Sequence, residues 1–307
     1  MRVLVTGATG FVGSNLVRRL CKEGHEVIAI GKKGEQDISG LPAQFIEGNF
    51  CNIPVSSLGK IDALFHQAAI TDTRVQDEDS MLFVNAAAPI TFFRRLIEQG
   101  CSRIVYASST AVYGNTTPPF VERRGERPLN PYGKSKLILD ENVMSLGTPN
   151  VSLVGLRYCN VYGPGENHKG PMATMIHQLA LQLNECKRPR LFHDGTQKRD
   201  YIYVDDVVEA NLCALKNARR SCVVNCGSGI ATSFNEIAER LQKMLGIEPP
   251  RAVEYFDMPP DIAKNYQSWT QCDMKRAEEM IKFTPKWPLE RGLRDYHRSG
   301  ALTRPIK

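Results

Sequence analysis

The amino-acid sequence predicts an α/β fold: a Rossmann-type doubly wound parallel sheet with a smaller C-terminal substrate-binding lobe. Three observations carry this expectation. The chain opens with a short, β-branched apolar run, Arg2–Thr6 (RVLVT), that turns through glycines into an amphipathic segment. Strand-like and helix-like segments then alternate through the first half. After about residue 163 the pattern loosens into Pro- and Gly-rich loops between shorter elements.

Each element follows from its own residues. Gly7-Ala8-Thr9-Gly10-Phe11-Val12-Gly13 leads from the first strand into a helix whose Phe11, Val12, Leu16, Val17 and Leu20 recur at helical spacing. Such a turn brings backbone N–H groups and a helix N-terminus onto a pyrophosphate. Gly7 and Gly10 permit the tight turn and close approach of phosphate, and Gly13 lets the helix pack on the strand. Further strands are expected at residues 25–30 (HEVIAI), Ala43–Glu47 and 62–66 (DALFH). Residues 79–99 read as one long helix and 102–107 (SRIVYA) as the next strand. The segment YGKSK opens a helix to about residue 146, and 151–157 (VSLVGLR) is a strand after it. Strands separated by helices give a parallel sheet whose ligands bind at the strands' carboxyl ends. Ala68, Ser109 and Asn160 all fall just past strand ends, on that edge. Residues 1–163 are expected to form the dinucleotide-binding domain and 164–307 the substrate lobe, with parts of 201–230 returning to the first.

Composition narrows the class. An apolar share of 42% and a charged share of 23% are ordinary for a globular protein of 307 residues. No stretch approaches the ~20 apolar residues of a membrane span. A first strand beginning at Arg2 leaves no room for a secretory leader, and a cytoplasmic location is expected. The nine cysteines are an odd number without CxxC spacing, which fits neither a disulfide framework nor a zinc site, so reduced thiols and no metal are expected. The net charge of +6 is spread along the chain rather than clustered. It suits an anionic cofactor and substrate better than nucleic acid.

The end of the second strand bears on the cofactor. An acidic residue there would bind the ribose hydroxyls of NAD and repel a 2′-phosphate. This chain has Gly31-Lys32-Lys33-Gly34, which favours NADP, with NAD open should Glu35 or Asp37 turn back to the ribose.

Two further segments supply chemistry: Ser108-Ser109-Thr110-Ala111-Val112-Tyr113-Gly114 and Tyr132-Gly133-Lys134-Ser135-Lys136. A spacing of four places Tyr132 and Lys136 on one helix face. A tyrosine with a pKa of about 10 is a poor base at neutral pH. An ammonium about 4 Å away offers roughly 4 kcal/mol of attraction to the phenolate at an effective dielectric of 20. Ser109 would hold the substrate oxygen whose proton Tyr132 removes.

Taken together, GATGFVGSNL, SSTAVYG, YGKSK and RYCNVYGPG resemble the extended short-chain dehydrogenases/reductases that act on nucleotide sugars, over nearly the whole chain. Dehydratases of that group carry Thr-Asp-Glu where this chain has Ser109-Thr110-Ala111, so an epimerase is implied. The run from Tyr162 to Ala173 (YGPGENHKGPMA), with Pro189–Phe192, Lys198–Val207 and Asn265–Asp273, is similar to the bacterial ADP-glycero-manno-heptose 6-epimerases. The resemblance implies transient oxidation of the sugar at C6 to an aldehyde and re-reduction on the opposite face, with NADP held tightly. Tyr132 and Lys169 would be the two acid/base groups and Lys136 would bind the nicotinamide ribose. Asn160, Phe192, Arg199 and Tyr266 would contact the nucleotide sugar beside Ser109 and Lys169. The cofactor would meet Gly7, Gly10, Phe11, Val12, Gly13, Lys32, Asn49, Phe50, Ala68, Ala69, Asn85 and Val161 as well as Tyr132 and Lys136. A homo-oligomer is implied.

From the residues alone, Lys169 makes sense as an acid/base group only if it is partly desolvated, and Arg199 could instead pair with its neighbour Asp200. Several positions depart from the family pattern. Pro171 replaces a hydroxyl residue, Gln178 stands where a histidine is usual with His177 beside it, and Asn49 stands where an aspartate commonly meets adenine. These leave a UDP-hexose 4-epimerase as the alternative within the class. A cofactor-binding regulator is the alternative outside it, although such a protein would lack the tyrosine–lysine pair.

Overall fold

The computed structural model describes residues 1–34, 36–72, 77–263 and 266–303. Its first half runs β1 (Arg2–Thr6), α1 (Phe11–Lys22), β2 (Glu26–Gly31), β3 (Ala43–Glu47), β4 (Ala63–His66), α2 (Glu78–Leu82), α3 (Ala88–Glu98), β5 (Arg103–Ser109), α4 (Pro131–Val143) and β6 (Ser152–Tyr158). There follow β7 (Asn160–Tyr162), α5 (Met175–Asn184), β8 (Arg190–Phe192), β9 (Lys198–Tyr203), α6 (Val204–Asn217) and β10 (Cys222–Cys226). The chain then continues through β11 (Ala231–Ser233), α7 (Phe234–Met244), β12 (Glu254–Phe256), α8 (Pro260–Ala263), α9 (Lys275–Ile281) and α10 (Leu289–Arg298).

Seven strands form one sheet in the order β10-β6-β5-β4-β1-β2-β3, and every pairing in it is parallel. Parallel strands are buried on both faces, which is why β1, β2, β4 and β10 are nearly continuous apolar runs. One face packs Val3, Val5, Phe65, Val105 and Val154 against residues of α1, α6 and α9. The other packs Leu4, Ile28, Leu64 and Ile104 against Phe92, Phe93 and Leu96 of α3 and Leu139 of α4. The order in which successive strands are added reverses between β1 and β4, and their adjacent carboxyl ends define the crevice where such sheets take ligands.

Outside this sheet, β11, β9 and β7 form a three-stranded sheet, and β12 pairs with β8. A separate core of Ile176, Leu179, Leu183, Phe234, Ile237, Leu241, Leu293 and Tyr296 joins α5, α7 and α10. The serine at the head of α7 shows how locally such elements are specified: Ser233 and Glu236 close a reciprocal capping box. Among the described residues, no helix is long and apolar enough to cross a membrane.

Two expectations are modified. β5 and β6 run further than periodicity suggested, to Ser109 and Tyr158, because those two residues still pair in register. The single helix expected over 79–99 is divided into α2 and α3 by a π-helical turn at Phe83–Ala87. That extra residue per turn rotates Asn85 inward, where it is buried, and leaves Phe83 57% exposed.

Candidate active site

A cleft of about 1080 Å³ runs along the carboxyl edge of the main sheet and under the smaller lobe. At its floor, Gly7 takes a φ of +66°, and a Cβ there would stand 2.7 Å from the Ala68 nitrogen. The turn after β1 and the turn after β4 therefore touch backbone to backbone. The N-cap of α1 is Gly10, with no side chain closing the first N–H groups and no acidic residue in the first turn. Uncapped donors at a positive helix end suit an anion. These features fit a dinucleotide pyrophosphate. Gly10, Phe11, Val12 and Gly13 line the cleft beside it, as do Ala68, Ala69 and Val161.

At the end of β2, Lys32 lines the cleft, whereas Lys33 turns away to pair with Glu47 at 2.8 Å. Asp37 accepts from the Ser39 N–H at 2.9 Å and hydroxyl at 2.7 Å, so its carboxylate is used within its own turn. Glu35, the other acid weighed for the ribose, lies outside the described residues. Asn49 and Phe50 line the same end, and the Asn49 side chain accepts from Cys51 N–H at 3.1 Å.

Ser109, Tyr132 and Lys136 meet where β5 ends and α4 begins. Asn130 caps α4 by accepting the Gly133 N–H at 2.8 Å, and Pro131 presets the first turn. A Cβ on Gly133 would stand 2.7 Å from the Ala111 carbonyl oxygen, so only glycine lets α4 close on the segment after Ser109. Ser109 faces the cleft, while Ser108 points inward and donates to Asp140 at 2.9 Å. Burial pushes the Tyr132 phenol up, and a hydrogen bond with Ser109 opposes that rise. Lys136 is 1% exposed, donates to the Ala107 carbonyl at 2.9 Å, and sits 5.8 Å from the Tyr132 ring centroid. Its ammonium thus bonds the end of β5 beside the Tyr132 ring. Burial lowers its pKa to about 8, with Asp140 opposing.

Lys169, also in the cleft lining, stands over the Phe11 ring at 5.7 Å, and burial lowers its pKa while Glu166 opposes. This is the desolvation that an acid/base role for it requires. Arg199 makes no ion pair with Asp200. The Asp200 carboxylate instead accepts from Ser228 N–H and hydroxyl, Gly229 N–H and Cys272 N–H. Arg199 stacks on Tyr266 at 4.9 Å and Phe234 at 5.3 Å, donates to the Lys198 carbonyl at 2.9 Å, and lines the cleft with Asn160 and Phe192. Phe192 meets Tyr266 edge-on at 5.9 Å. Asn265, next to Tyr266 in the family motif, lies outside the described residues. Of the two adjacent positions weighed in α5, Gln178 lines the cleft and donates to the Ala173 carbonyl at 2.7 Å. His177 is buried against Tyr296.

One residue expected to meet the cofactor does not line the cleft. Asn85 is 1% exposed, accepts from Ile70 N–H at 2.8 Å and donates to the Ile70 carbonyl at 2.9 Å and Ser135 at 3.2 Å. It ties the turn after β4 to α4, and so acts on the site through its walls. Sequence reasoning also missed Asp140. This carboxylate is buried beneath Lys136 and accepts from Arg157 at 2.8 Å, Ser108 and Tyr106. Arg157 continues to Glu126 and to the Tyr113 hydroxyl at 3.0 Å. Lys136 and Asp140 are one helical turn apart, which was the available signal. Cys159, Asp200 and Cys272 also cluster beside the cleft, but the carboxylate is saturated by its donors and burial raises both thiols. The two thiols pack as neutral groups.

Comparison with known proteins agrees with this geometry. Residues 3–227 match the model of the NAD dependent epimerase/dehydratase family. The chain is 34% identical to an ADP-L-glycero-D-manno-heptose-6-epimerase of Cupriavidus pinatubonensis, over 96% of this chain and 97% of that one. Among solved structures, the ADP-L-glycero-D-manno-heptose-6-epimerase of Helicobacter pylori superimposes with a TM-score of 0.87 at 34% identity, covering 97% of this chain and 95% of that one. The UDP-glucuronic acid 4-epimerase of Bacillus cereus, solved with UDP-glucuronic acid and NAD, gives a TM-score of 0.80 at 27% identity, covering 97% and 98%. With a glycine-floored cradle, a serine, a tyrosine and a lysine gathered in one cleft, and a parallel sheet, the chain belongs to the NAD-dependent epimerase/dehydratase family.

Proposed function

We propose that this enzyme is an ADP-glycero-manno-heptose 6-epimerase working through tightly held NADP. The observation that carries this reading is a second desolvated lysine, Lys169, lining the same cleft as Tyr132 and Ser109. Inverting one carbinol centre calls for an acid/base group on each side of it, and Tyr132 and Lys169 are suited to be the two. The nicotinamide, when bound, supplies the hydride acceptor and donor. Tyr132 takes the proton from the hydroxyl held by Ser109, and Lys169 serves the same oxygen in the opposite orientation of the carbinol. Lys136 holds the ribose side of the site and adds positive charge to it. Arg199 is suited to the diphosphate because its planar fork can donate two hydrogen bonds at once. Phe192 and Tyr266 offer aromatic surface to the nucleoside. Lys32, facing the cleft where an acid would repel a 2′-phosphate, supports NADP over NAD.

Residues 164–307 would provide most of the sugar contacts and 1–163, with α6 and β10, the cofactor site. The same reading includes a cytoplasmic homo-oligomer acting on a soluble nucleotide sugar. Pro171, which offers no hydroxyl to the cleft it lines, favours a UDP-hexose 4-epimerase as the second reading.

The test is an NMR time course with ADP-D-glycero-D-manno-heptose and no added cofactor, beside UDP-glucose and UDP-galactose. Inversion at C6, abolished by Tyr132→Phe, is the expected result. Interconversion of the UDP-hexoses alone would transfer the assignment to the second reading.

A further inference from the structure

Glu166 is fully buried, three residues before Lys169 in the loop that crosses the cleft. A family-wide role in binding the cofactor does not account for it, because it does not line the cleft. Its carboxylate accepts from the Thr174 N–H at 2.8 Å, from the Thr174 hydroxyl at 3.1 Å and from the Gly163 N–H at 3.5 Å. Burial and the nearby Glu166 carboxylate both push up the Tyr296 phenol of α10, whose hydroxyl meets His177 Nδ1 at 3.1 Å. The Gly163 and Thr174 donors clamp both ends of the segment carrying Lys169, since Gly163 precedes that segment and Thr174 follows it. Burial raises the Glu166 pKa, and the Lys169 charge together with the Thr174 and Gly163 donors opposes that rise. Lys169 provides the nearby positive charge.

We propose that Glu166 is a positioning residue for the reaction, holding Lys169 as an ammonium and fixing it over Phe11 on the cleft wall. This rests on the reading of Lys169 as the second acid/base group. Each element packed around the carboxylate contributes a titratable group. They are Tyr162 from β7, Tyr201 from β9, Tyr296 from α10 and, through Tyr296, His177 from α5. The phenols are all pushed well above the neutral range by burial, and none of them can replace the carboxylate's charge at the pH of catalysis. A buried ammonium loses its counter-charge if Glu166 becomes neutral, so Lys169 would release its proton more readily.

The experiment reads Lys169 directly. Purified wild-type protein and Glu166→Gln are pulsed with acetic anhydride across a pH series, and acetylation of Lys169 is quantified by peptide mass spectrometry, with the exposed Lys275 as internal reference. The amide keeps the shape and can still accept the Thr174 N–H. The Lys169 labelling midpoint is expected to fall by about one pH unit, roughly tenfold more free amine at a given pH, while Lys275 stays in place. A midpoint that does not move, or a Lys275 midpoint that moves as far, overturns the proposal. If the labelling midpoint falls but the pH profile of turnover does not follow, the coupling stands and the acid/base reading of Lys169 fails. Lys169→Met gives an independent check should Glu166→Gln not fold. Leaving the carboxylate uncompensated, it should lose stability relative to wild type as pH rises from about 5 to 7, by linkage. A difference that is constant with pH counts against the pair.

Discussion

Lys136 is predicted to oppose folding at neutral pH, so replacing it should stabilise the protein while ending its activity. Its side chain is 1% exposed and its pKa is lowered by burial from the ordinary 10.5 to about 8. At about 1.4 kcal/mol per pKa unit, keeping that ammonium buried at pH 7 costs about 3 kcal/mol. In Lys136→Met the charge is gone and the volume nearly kept, while the Ala107 carbonyl loses a donor worth about 1 kcal/mol. The net expectation at pH 7 is a gain of about 2 kcal/mol. The sign with pH follows from the depressed folded-state value. Between about 8 and 10.5 the unfolded chain binds more protons than the folded one, so wild-type stability rises through that window. Near about pH 10 the burial penalty has shrunk to under about 1 kcal/mol, and the advantage of the variant should vanish. Urea unfolding of both proteins at the two pH values measures this as a double difference, in which the other alkaline groups cancel. A variant less stable than wild type by the same amount at both pH values would refute the reasoning, because a lysine without a desolvation penalty has no reason to show the pH term. Turnover should fall by at least about a hundredfold, as for loss of an acid–base partner. This is the stability–activity opposition expected where a functional charge is held in a dry site.

Three other outcomes follow from the same geometry. Asp140→Ala strands Arg157 and unpairs Ser108 and Tyr106; because Glu126 still faces Arg157, the loss should fall at the low end of the range for a broken buried pair, about 3 kcal/mol by urea unfolding. A loss below about 1 kcal/mol would show that the remaining ion pair suffices. Lys32→Ala should weaken NADP binding about tenfold, as for one charge-assisted hydrogen bond, and leave NAD nearly unchanged in fluorescence titrations. Lys33→Ala, already committed to Glu47, should alter neither, and equal effects of the two substitutions would remove the assignment of Lys32 to the 2′-phosphate. Gly7→Ala places a Cβ 2.7 Å from backbone at a φ of +66°, so it should cost about 2 kcal/mol or more and release the cofactor; a stable variant that retains the cofactor would mean the turn yields more easily than its geometry implies.

What the sequence made legible and what it hid divide along a physical line. The glycine turn, the tyrosine–lysine pair and the strand ends are encoded within a few residues, so spacing alone brings them out. Asn130, Pro131 and Gly133 likewise specify the start of α4 next to Tyr132 without help from elsewhere. The groups that tune this chemistry are joined across the fold. Asp140 meets Arg157 from the next strand, Glu166 meets Tyr296 from α10, and Asn85 reaches both the turn after β4 and Ser135. No periodicity announces such pairs, because each depends on where the folded sheet and helices bring distant residues. The misplacement of Asn85 arose here: a resemblance can carry over that a residue matters to the site, yet only the π-turn decides that its side chain faces Ile70 instead of the cleft. The phase of α5 works the same way on His177 and Gln178, where a one-residue difference exchanges a cleft-facing group for a core one. It follows that the departures from the family pattern cannot be judged position by position. His177 sits beside the expected histidine position but is buried against Tyr296, whose phenol lies near the Glu166 carboxylate, so the histidine next to a cleft position belongs instead to the core behind the segment that carries Lys169.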